Sequence, residues 1–339
     1  VTRIALDLYT RSMQALVIRE PGKPETLELS SVPTPEPGRG EVRVRIRASA
    51  VNRADLLFVR GLYKLSPDAT PGVPGLEFAG EVEVVGEGVT EHAAGDRVFG
   101  VLGGGGFAEQ VVVHARRIAR IPDNLSFAEA AAVPEAFTTA WDAMVVQAGL
   151  VAGEDVLVHA AGSGVGTAAI QVARAVGARA IGTARTAQKL ERARSLGLAA
   201  SIVTSGPSFA REVLAETGGR GADVVVELVG GGFVAEDVVC LAPRGRIVVI
   251  GTMAGGRAEI DLHMLMIKRG VLRGTVLAAR PIEDKIVAGR LLERHVAPLL
   301  ASGVLRPVVD RALPWTRAVD AMAALGSNET FGKVVLTMD

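Results

Sequence analysis

The spacing of apolar and polar positions changes character twice between residues 155 and 183. Residues 155–160 form a short apolar run, 162–166 read Gly-Ser-Gly-Val-Gly, 167–176 carry small and apolar residues at helical spacing, and 178–183 form a second apolar run. Strand, glycine turn, helix and strand make a unit in which backbone N–H groups and a helix N-terminus approach a pyrophosphate. A plain parallel β-α-β unit with a tight turn fits the same pattern, but three glycines in five residues exceed what a turn needs. Further on, the period alternates between helix and strand: helices at 187–196, 208–217 and 230–242, strands at 200–203, 223–228, 246–250 and 271–277. That order predicts an α/β, doubly wound parallel Rossmann sheet.

Upstream the pattern is different. Short extended runs at 14–19 and 25–30 are separated by Pro21-Gly22, and three alternating prolines hold 32–38 extended. Residues 41–48, Glu-Val-Arg-Val-Arg-Ile-Arg-Ala, alternate strictly, so one face is buried and an arginine face is solvated. A short helix begins after Val51, a Pro/Gly-rich loop at 61–75 carries Tyr63, and strands follow at 75–86, 94–100 and 107–113. Many short strands with glycine turns and little helix predict a partly open β-barrel. Helices are expected at 125–132, 136–147 and 282–302, with closing strands and a helix over 306–339.

Length and charge narrow the class. A chain of 339 residues should form two domains, each with its own core. Lys plus Arg equals Asp plus Glu at 37 each, so no net field draws nucleic acid, an unlikely partner, or an anionic membrane. The single cysteine, Cys240, excludes a disulfide framework and suits a reducing, cytoplasmic setting. No apolar stretch has membrane-spanning length. Residues 1–12 lack a signal-peptide pattern and are expected to be an extra, non-native or disordered segment before Met13.

The strand ends should line a cofactor crevice, which makes Leu228, Gly230, Gly251, Thr252, Met253 and Leu277 candidates; Gly251 equally suits a bare turn. An NAD site places an acid at the end of the second strand, about 20 residues past the glycines. Here Thr183, Arg185, Thr186 and Lys189 stand there instead, two hydroxyls and two cations suited to the 2′-phosphate of NADPH. Cations at a helix start oppose its dipole, which favours an anion-binding role over a merely solvated one.

The motifs Pro-Gly-Arg-Gly-Glu-Val at 37–42, Asn-Arg-Ala-Asp at 52–55, Gly-Leu-Glu-Phe-Ala-Gly at 75–80, Gly-Asp-Arg-Val at 95–98 and Gly-Gly-Gly-Gly-Phe-Ala-Glu at 103–109 are in order. Together they resemble the medium-chain dehydrogenase/reductases over residues 13–339, and within them the zeta-crystallin-like quinone oxidoreductases of the tumour-suppressor-inducible subgroup. The resemblance implies a GroES-like catalytic domain at 13–134 and 300–339 and an NADPH-binding Rossmann domain at 135–299. It puts the glycine-motif register on Ala161, Ser163 and Gly166, with Gly162, Gly164 and Val165 between. It adds Thr139 beside the nicotinamide, Thr204 at the next strand end where the family usually has Asn-Tyr, and Thr330 and Lys333 near the cofactor.

In zinc alcohol dehydrogenases of the superfamily, the positions matching Asn52, Leu76 and Glu135 hold the metal. Leucine cannot ligate and asparagine does so poorly, so no metal is expected. His92, His114, His159, His263 and His295 are scattered, each a surface or hydrogen-bonded histidine. The implied activity is NADPH-dependent reduction of a quinone. Asn52, Arg53 and Tyr63 would stand near the oxygen that gains charge, and Asp55 would orient its neighbours; an Arg53–Asp55 ion pair is the structural alternative. The same frame hosts enone and enoyl-thioester reductases, with Tyr63 as proton donor, and relatives act as a lens structural protein or RNA binders. The family commonly forms homodimers through the edge strand near 271–277.

Overall fold

Strict alternation over 41–48 builds the strand on which the first half of the protein is assembled. The computed structural model describes residues 11–338 apart from 21, 24, 25 and 65–68, so most of the expected extra segment at 1–12 lies outside the described residues. An antiparallel pair comes first, β1 (Ser12–Ile18) with β2 (Leu27–Pro33). Then β3 (Glu41–Val51) leads through helix α1 (Arg53–Val59) to β4 (Glu77–Val85), β5 (Arg97–Val101), β6 (Gln110–His114) and β7 (Ile118–Arg120). Val42, Val44 and Ile46 pack against Phe78, Val98 and Ile118. The arginine face is neutralised within the sheet: Arg43 and Arg45 reach Glu83, and Arg47 reaches Glu81. Arg43 is buried rather than solvated.

Helices α2 (Phe127–Ala131) and α3 (Pro134–Trp141) lead out of this sheet, and α3 runs on through a π-type segment at Asp142–Gln147. The alternating region follows as β8 (Asp155–Val158), α4 (Gly164–Val176), β9 (Arg179–Ala184), α5 (Ala187–Arg194), β10 (Leu198–Val203) and α6 (Ala210–Glu216). It continues with β11 (Ala222–Glu227), α7 (Phe233–Cys240), β12 (Leu241–Val249), α8 (Leu262–Lys268) and β13 (Val271–Gly274). The six strands form one parallel sheet in the order β10-β9-β8-β11-β12-β13, the doubly wound arrangement expected. Helices α9 (Ile282–Leu291) and α10 (Ala297–Ala301), joined by a π-type segment, lead to β14 (Val309–Pro314), α11 (Ala318–Gly326) and β15 (Lys333–Thr337).

β15 inserts between β14 and β3, so the last strand completes the first sheet, in the order β14-β15-β3-β4-β5-β7 with β6 also on β3. One core runs from Ala48 and Phe99 through Phe137 and Trp141 of α3 to Val156 and Ile170, so the two sheets share packing at their junction.

Three elements depart from the sequence expectation. The helix expected at 230–242 yields to β12 at Leu241, because Ala242 precedes Pro243 and is pushed out of the α region. The register slips there as the chain passes Arg244 at φ 65°. β13 ends at Gly274, three residues before Leu277, as Arg280 gathers the Thr275 hydroxyl and the Asp142 carboxylate. Helix α4 starts three residues before Thr167, inside the glycine turn itself.

Candidate functional site

That early start is set by Ser163, whose hydroxyl oxygen accepts the Gly166 amide at 3.0 Å and caps the helix. The O–H proton and the first-turn amide of Val165 remain available to an anion, while the Gly164 amide faces the Gly332 carbonyl. Gly166 is required by the fold, since a side chain there would meet the Ala160 carbonyl at 2.3 Å. Gly162 and Gly164 have a different reason to be small. The stems of Lys189 and Lys333 and the ring of Phe331 lie directly on them. The C-terminal segment is stitched to the turn by the Gly332 amide, which donates to the Gly162 carbonyl at 2.9 Å. Ala161 is buried, its amide bonded to the Thr183 carbonyl.

Beside the turn lies a group of cations short of acids. Lys189 donates to the Asn328 carbonyl at 2.5 Å, and Arg53 to the Asn328 side chain. Arg192 lies 4.2 Å above the Phe331 ring. Burial, then the charges of Arg185 and Arg60, pull the Arg53 guanidinium below its usual range. Burial and the charges of Arg185, Arg53 and Arg192 do the same to Lys189, with Asp310 the one opposing acid. Asp310 is itself engaged by Arg311 and the Phe331 amide. Arg53 therefore belongs to this cationic group and not to an ion pair with Asp55. Arg185 and Thr186 are exposed at the start of α5.

On the other side of the Lys333 stem is a buried polar cluster. The Lys333 ammonium donates to Asn52 Oδ1 at 2.5 Å, to Glu77 Oε1 at 2.8 Å and to the Val51 carbonyl at 3.2 Å. Glu77 also accepts from Asn52 Nδ2 at 2.9 Å and from the Glu135 amide at 2.8 Å. Asn52 Nδ2 spends its other proton on the Ala50 carbonyl, so Asn52 has no free donor for a substrate oxygen, contrary to expectation. Lys333 likewise turns its charge away from the glycine turn while its stem covers it. Asp55 is fully buried; its carboxylate takes the Asn52 and Gly75 amides, tying α1 to the 70s loop.

Burial lifts the Asp55 carboxyl to about 7 against the pull of those amides and Lys333. Burial, then repulsion from Glu77, lifts Glu135 to about 8. Tyr63 is half-buried, and burial, then the Glu135 and Asp55 charges, raise its phenol to about 12. Of the four expected catalytic side chains, Asn52 and Asp55 are committed to the framework, whereas Tyr63 is half-buried and Arg53 is held on the Asn328 side chain. The metal positions do not fit zinc: Leu76 is apolar and buried, and an ammonium already sits between Asn52 and Glu77.

Five of the six strand-end candidates lie together, and Leu277 lies apart from them. Leu228, Gly230 and Gly251 are drawn together, Gly230 at φ +75°, and a side chain on Gly251 would meet the Leu228 carbonyl at 2.6 Å. Thr252 and Met253 are exposed beside them. Other candidates are committed elsewhere. The Thr183 hydroxyl lies 2.8 Å from His159 Nδ1, facing the core and not a ribose. Thr204 closes its own loop on the Gly206 carbonyl at 2.6 Å. Thr139 and Thr330 are buried. Leu277 lines a small cavity between the sheets with Thr138, whose buried hydroxyl has no partner.

Sequence reasoning missed Glu77, Asn328, Arg192 and the buried trio His159, Glu227 and Asp237. Glu77 and Glu227 had a signal, an acid inside or closing an apolar strand. Asn328 had none.

Residues 38–123 match the model of the alcohol dehydrogenase GroES-like domain, and 164–292 that of the zinc-binding dehydrogenases. Phthioceranic/hydroxyphthioceranic acid synthase of Mycobacterium tuberculosis (strain ATCC 25618 / H37Rv) is 36% identical over 97% of this chain, which spans only 15% of that relative's length. The quinone oxidoreductase-like protein 2 homolog of Nematostella vectensis is 32% identical, over 96% of this chain and 89% of the relative. Among solved structures, an NAD-dependent alcohol dehydrogenase is 35% identical with a TM-score of 0.84, covering 96% of this chain and 100% of its own. JamJ enoyl reductase, in its apo form, is 27% identical with a TM-score of 0.86, covering 97% and 100%.

Proposed function

The chain belongs to the medium-chain dehydrogenase/reductase family, and from that premise we propose that it is a zinc-independent, NADPH-dependent reductase of conjugated carbonyl acceptors, with quinones as the substrate class. The observation that carries the cofactor choice is the cationic group of Arg53, Arg185, Lys189 and Arg192, in which burial and then the neighbouring charges pull Arg53 and Lys189 below their usual ranges. Such a group is relieved by an anion with two negative charges, such as a 2′-phosphate. The first turn of α4 and the Ser163 hydroxyl suit the pyrophosphate.

NADPH supplies the hydride when bound; the protein orients it and excludes water. A quinone takes one hydride and one proton to become a hydroquinone. Tyr63, its phenol held protonated across the physiological range, hydrogen-bonds the oxygen that gains charge and supplies the proton. Lys333, Glu77 and Asn52 form the rigid floor behind it.

A second reading, reduction of an enoyl thioester, draws on the printed name of JamJ enoyl reductase and on the synthase relative. There Tyr63 or the Glu135 carboxyl, held protonated to about pH 8, would protonate carbon. NADPH and NADH consumption with ortho-quinones, para-quinones and enoyl-CoA separates the readings. Binding of NADPH with no acceptor reduced would sink both in favour of a non-catalytic binding role, and a mobility-shift assay at physiological salt tests RNA.

We also propose a homodimer paired along β13. All four of its residues are exposed, and Leu262, Met266, Ile267, Val271, Leu272 and Val276 form an apolar surface around that open edge. A stable monomer in sedimentation at micromolar concentration refutes it.

A further inference from the structure

Beneath the cofactor crevice, His159 at the end of β8, Glu227 at the end of β11 and Asp237 in α7 are fully enclosed together. His159 Nε2 lies 2.8 Å from Asp237 Oδ1 and 3.7 Å from Glu227 Oε2, while Nδ1 meets the Thr183 hydroxyl. Phe209 and Phe233 stand edge-on to the imidazole at 4.7 and 5.3 Å. Glu227 Oε1 accepts two amides from the loop after β11, those of Val229 and, at 2.7 Å, Gly230. That loop is zipped to the one after β12, since Ala254 donates to Val229 and Gly231 to Gly255.

Two oxygens of this cluster, Glu227 Oε2 and Asp237 Oδ2, are buried with no donor. Two adjacent carboxylates in a dry site repel, and neither oxygen is satisfied while both groups are ionised. A single proton between them satisfies both and leaves every other polar atom of the trio its present partner. We propose that Glu227 and Asp237 share one proton, and that this bridged pair, braced by His159, positions the 228–231 loop and Thr183 under the bound cofactor. The proposal rests on the nicotinamide reading of the crevice.

The surroundings agree. Burial pushes both carboxyls up to about 7 and the His159 imidazole down to about 4, so the histidine brings no lasting positive charge. Glu236 faces the other way, accepting the Phe209 and Ala210 amides. Lys268 is spent on the Val238 and Val239 carbonyls, and the Cys240 thiol on the Asp237 carbonyl. One imidazole and two carboxylates are also a metal donor set. The 2.8 Å between Nε2 and Oδ1 is a hydrogen-bond distance, whereas ligands on a tetrahedral zinc stand roughly 3.3 Å apart.

Both carboxyls lie above their unfolded values. The stability they contribute is complete below about pH 4 and is lost as pH rises through about 7. Glu227→Gln keeps an oxygen for the two loop amides and gains a permanent donor for Asp237; Asp237→Asn does the same from the other side should the first variant fold poorly.

The test compares full-length wild type, E227Q, D237N and E227A by Tm from pH 5 to 9 and by NADPH Kd from fluorescence at pH 6.5 and 9. The Tm of wild type should fall below that of E227Q or D237N as pH rises. Its Kd should weaken about tenfold between the two pH values while the amide variants change less than about threefold. E227A should bind weakly at both. Parallel Tm curves overturn the shared proton, as does a stoichiometric metal whose removal by EDTA lowers Tm. Wild type that never binds NADPH sinks the cofactor reading, while the Tm comparison still decides the proton.

Discussion

Replacing Lys333 by methionine removes the one cation from the cluster behind Tyr63 and leaves its shape nearly unchanged. Glu77 then keeps the Asn52 side chain and the Glu135 amide but loses the ammonium at 2.8 Å, in a site where Glu77 is 0% and Lys333 5% exposed. Breaking a buried pair from one side costs about 3–5 kcal/mol, because the remaining charge is stranded. At about 2.1 cal/mol/K of unfolding entropy per residue, a chain of 339 residues loses about 4–7 °C of Tm if it unfolds as one unit. The double variant K333M/E77Q removes both charges and should recover more than half of that loss, because the pair's attraction was offset by the cost of burying it. The measurement is thermal unfolding of wild type, K333M, E77Q and the double variant as a cycle. A loss below about 1 kcal/mol in K333M, or a double variant no better than K333M, would show that Lys333 does not neutralise Glu77.

Other outcomes follow from the same site. Arg185→Ala with Lys189→Ala should weaken NADPH binding by about 10- to 100-fold and leave NADH nearly unchanged, read by fluorescence titration. Equal losses for both nucleotides would move the 2′-phosphate elsewhere. Tyr63→Phe should cut kcat by about 10²-fold or more with little change in cofactor Kd; an unchanged kcat removes Tyr63 from proton transfer. Folded Glu135 holds its proton to about pH 8, so its stabilising contribution is present below about pH 4.5 and lost as pH rises through 8. Glu135→Gln should therefore flatten the fall of Tm over that window, and an unaltered slope would refute the burial argument.

The architecture was legible because periodicity is a local signal. Strict alternation marked β3, and the strand, glycine turn and helix at 155–176 marked the parallel sheet. Misses came where tertiary partners decided. Nothing local announces that Arg280 ends β13 by reaching Asp142, or that Ser163 spends its acceptor on a cap. Glycine composition pointed to the turn, yet Gly162 and Gly164 are small partly because two lysine stems and Phe331 rest on them, from 27 to 169 residues away in sequence. Asn52 is expected near a substrate oxygen because residue type shows what a side chain offers; only the fold shows that its offers are taken.

The placement of β15 between β14 and β3 constrains the order of events during synthesis. Strands β8 to β13 are contiguous in sequence, so the parallel sheet can close while the chain is still leaving the ribosome. The first sheet cannot. Residues 48–51 of β3 present an unpaired backbone edge until residues 334–337 emerge, long after their own neighbours have been made. A nascent chain therefore carries an aggregation-competent strand until residues 334–337 have emerged, and its yield in cells should depend on chaperone occupancy more than its final stability suggests.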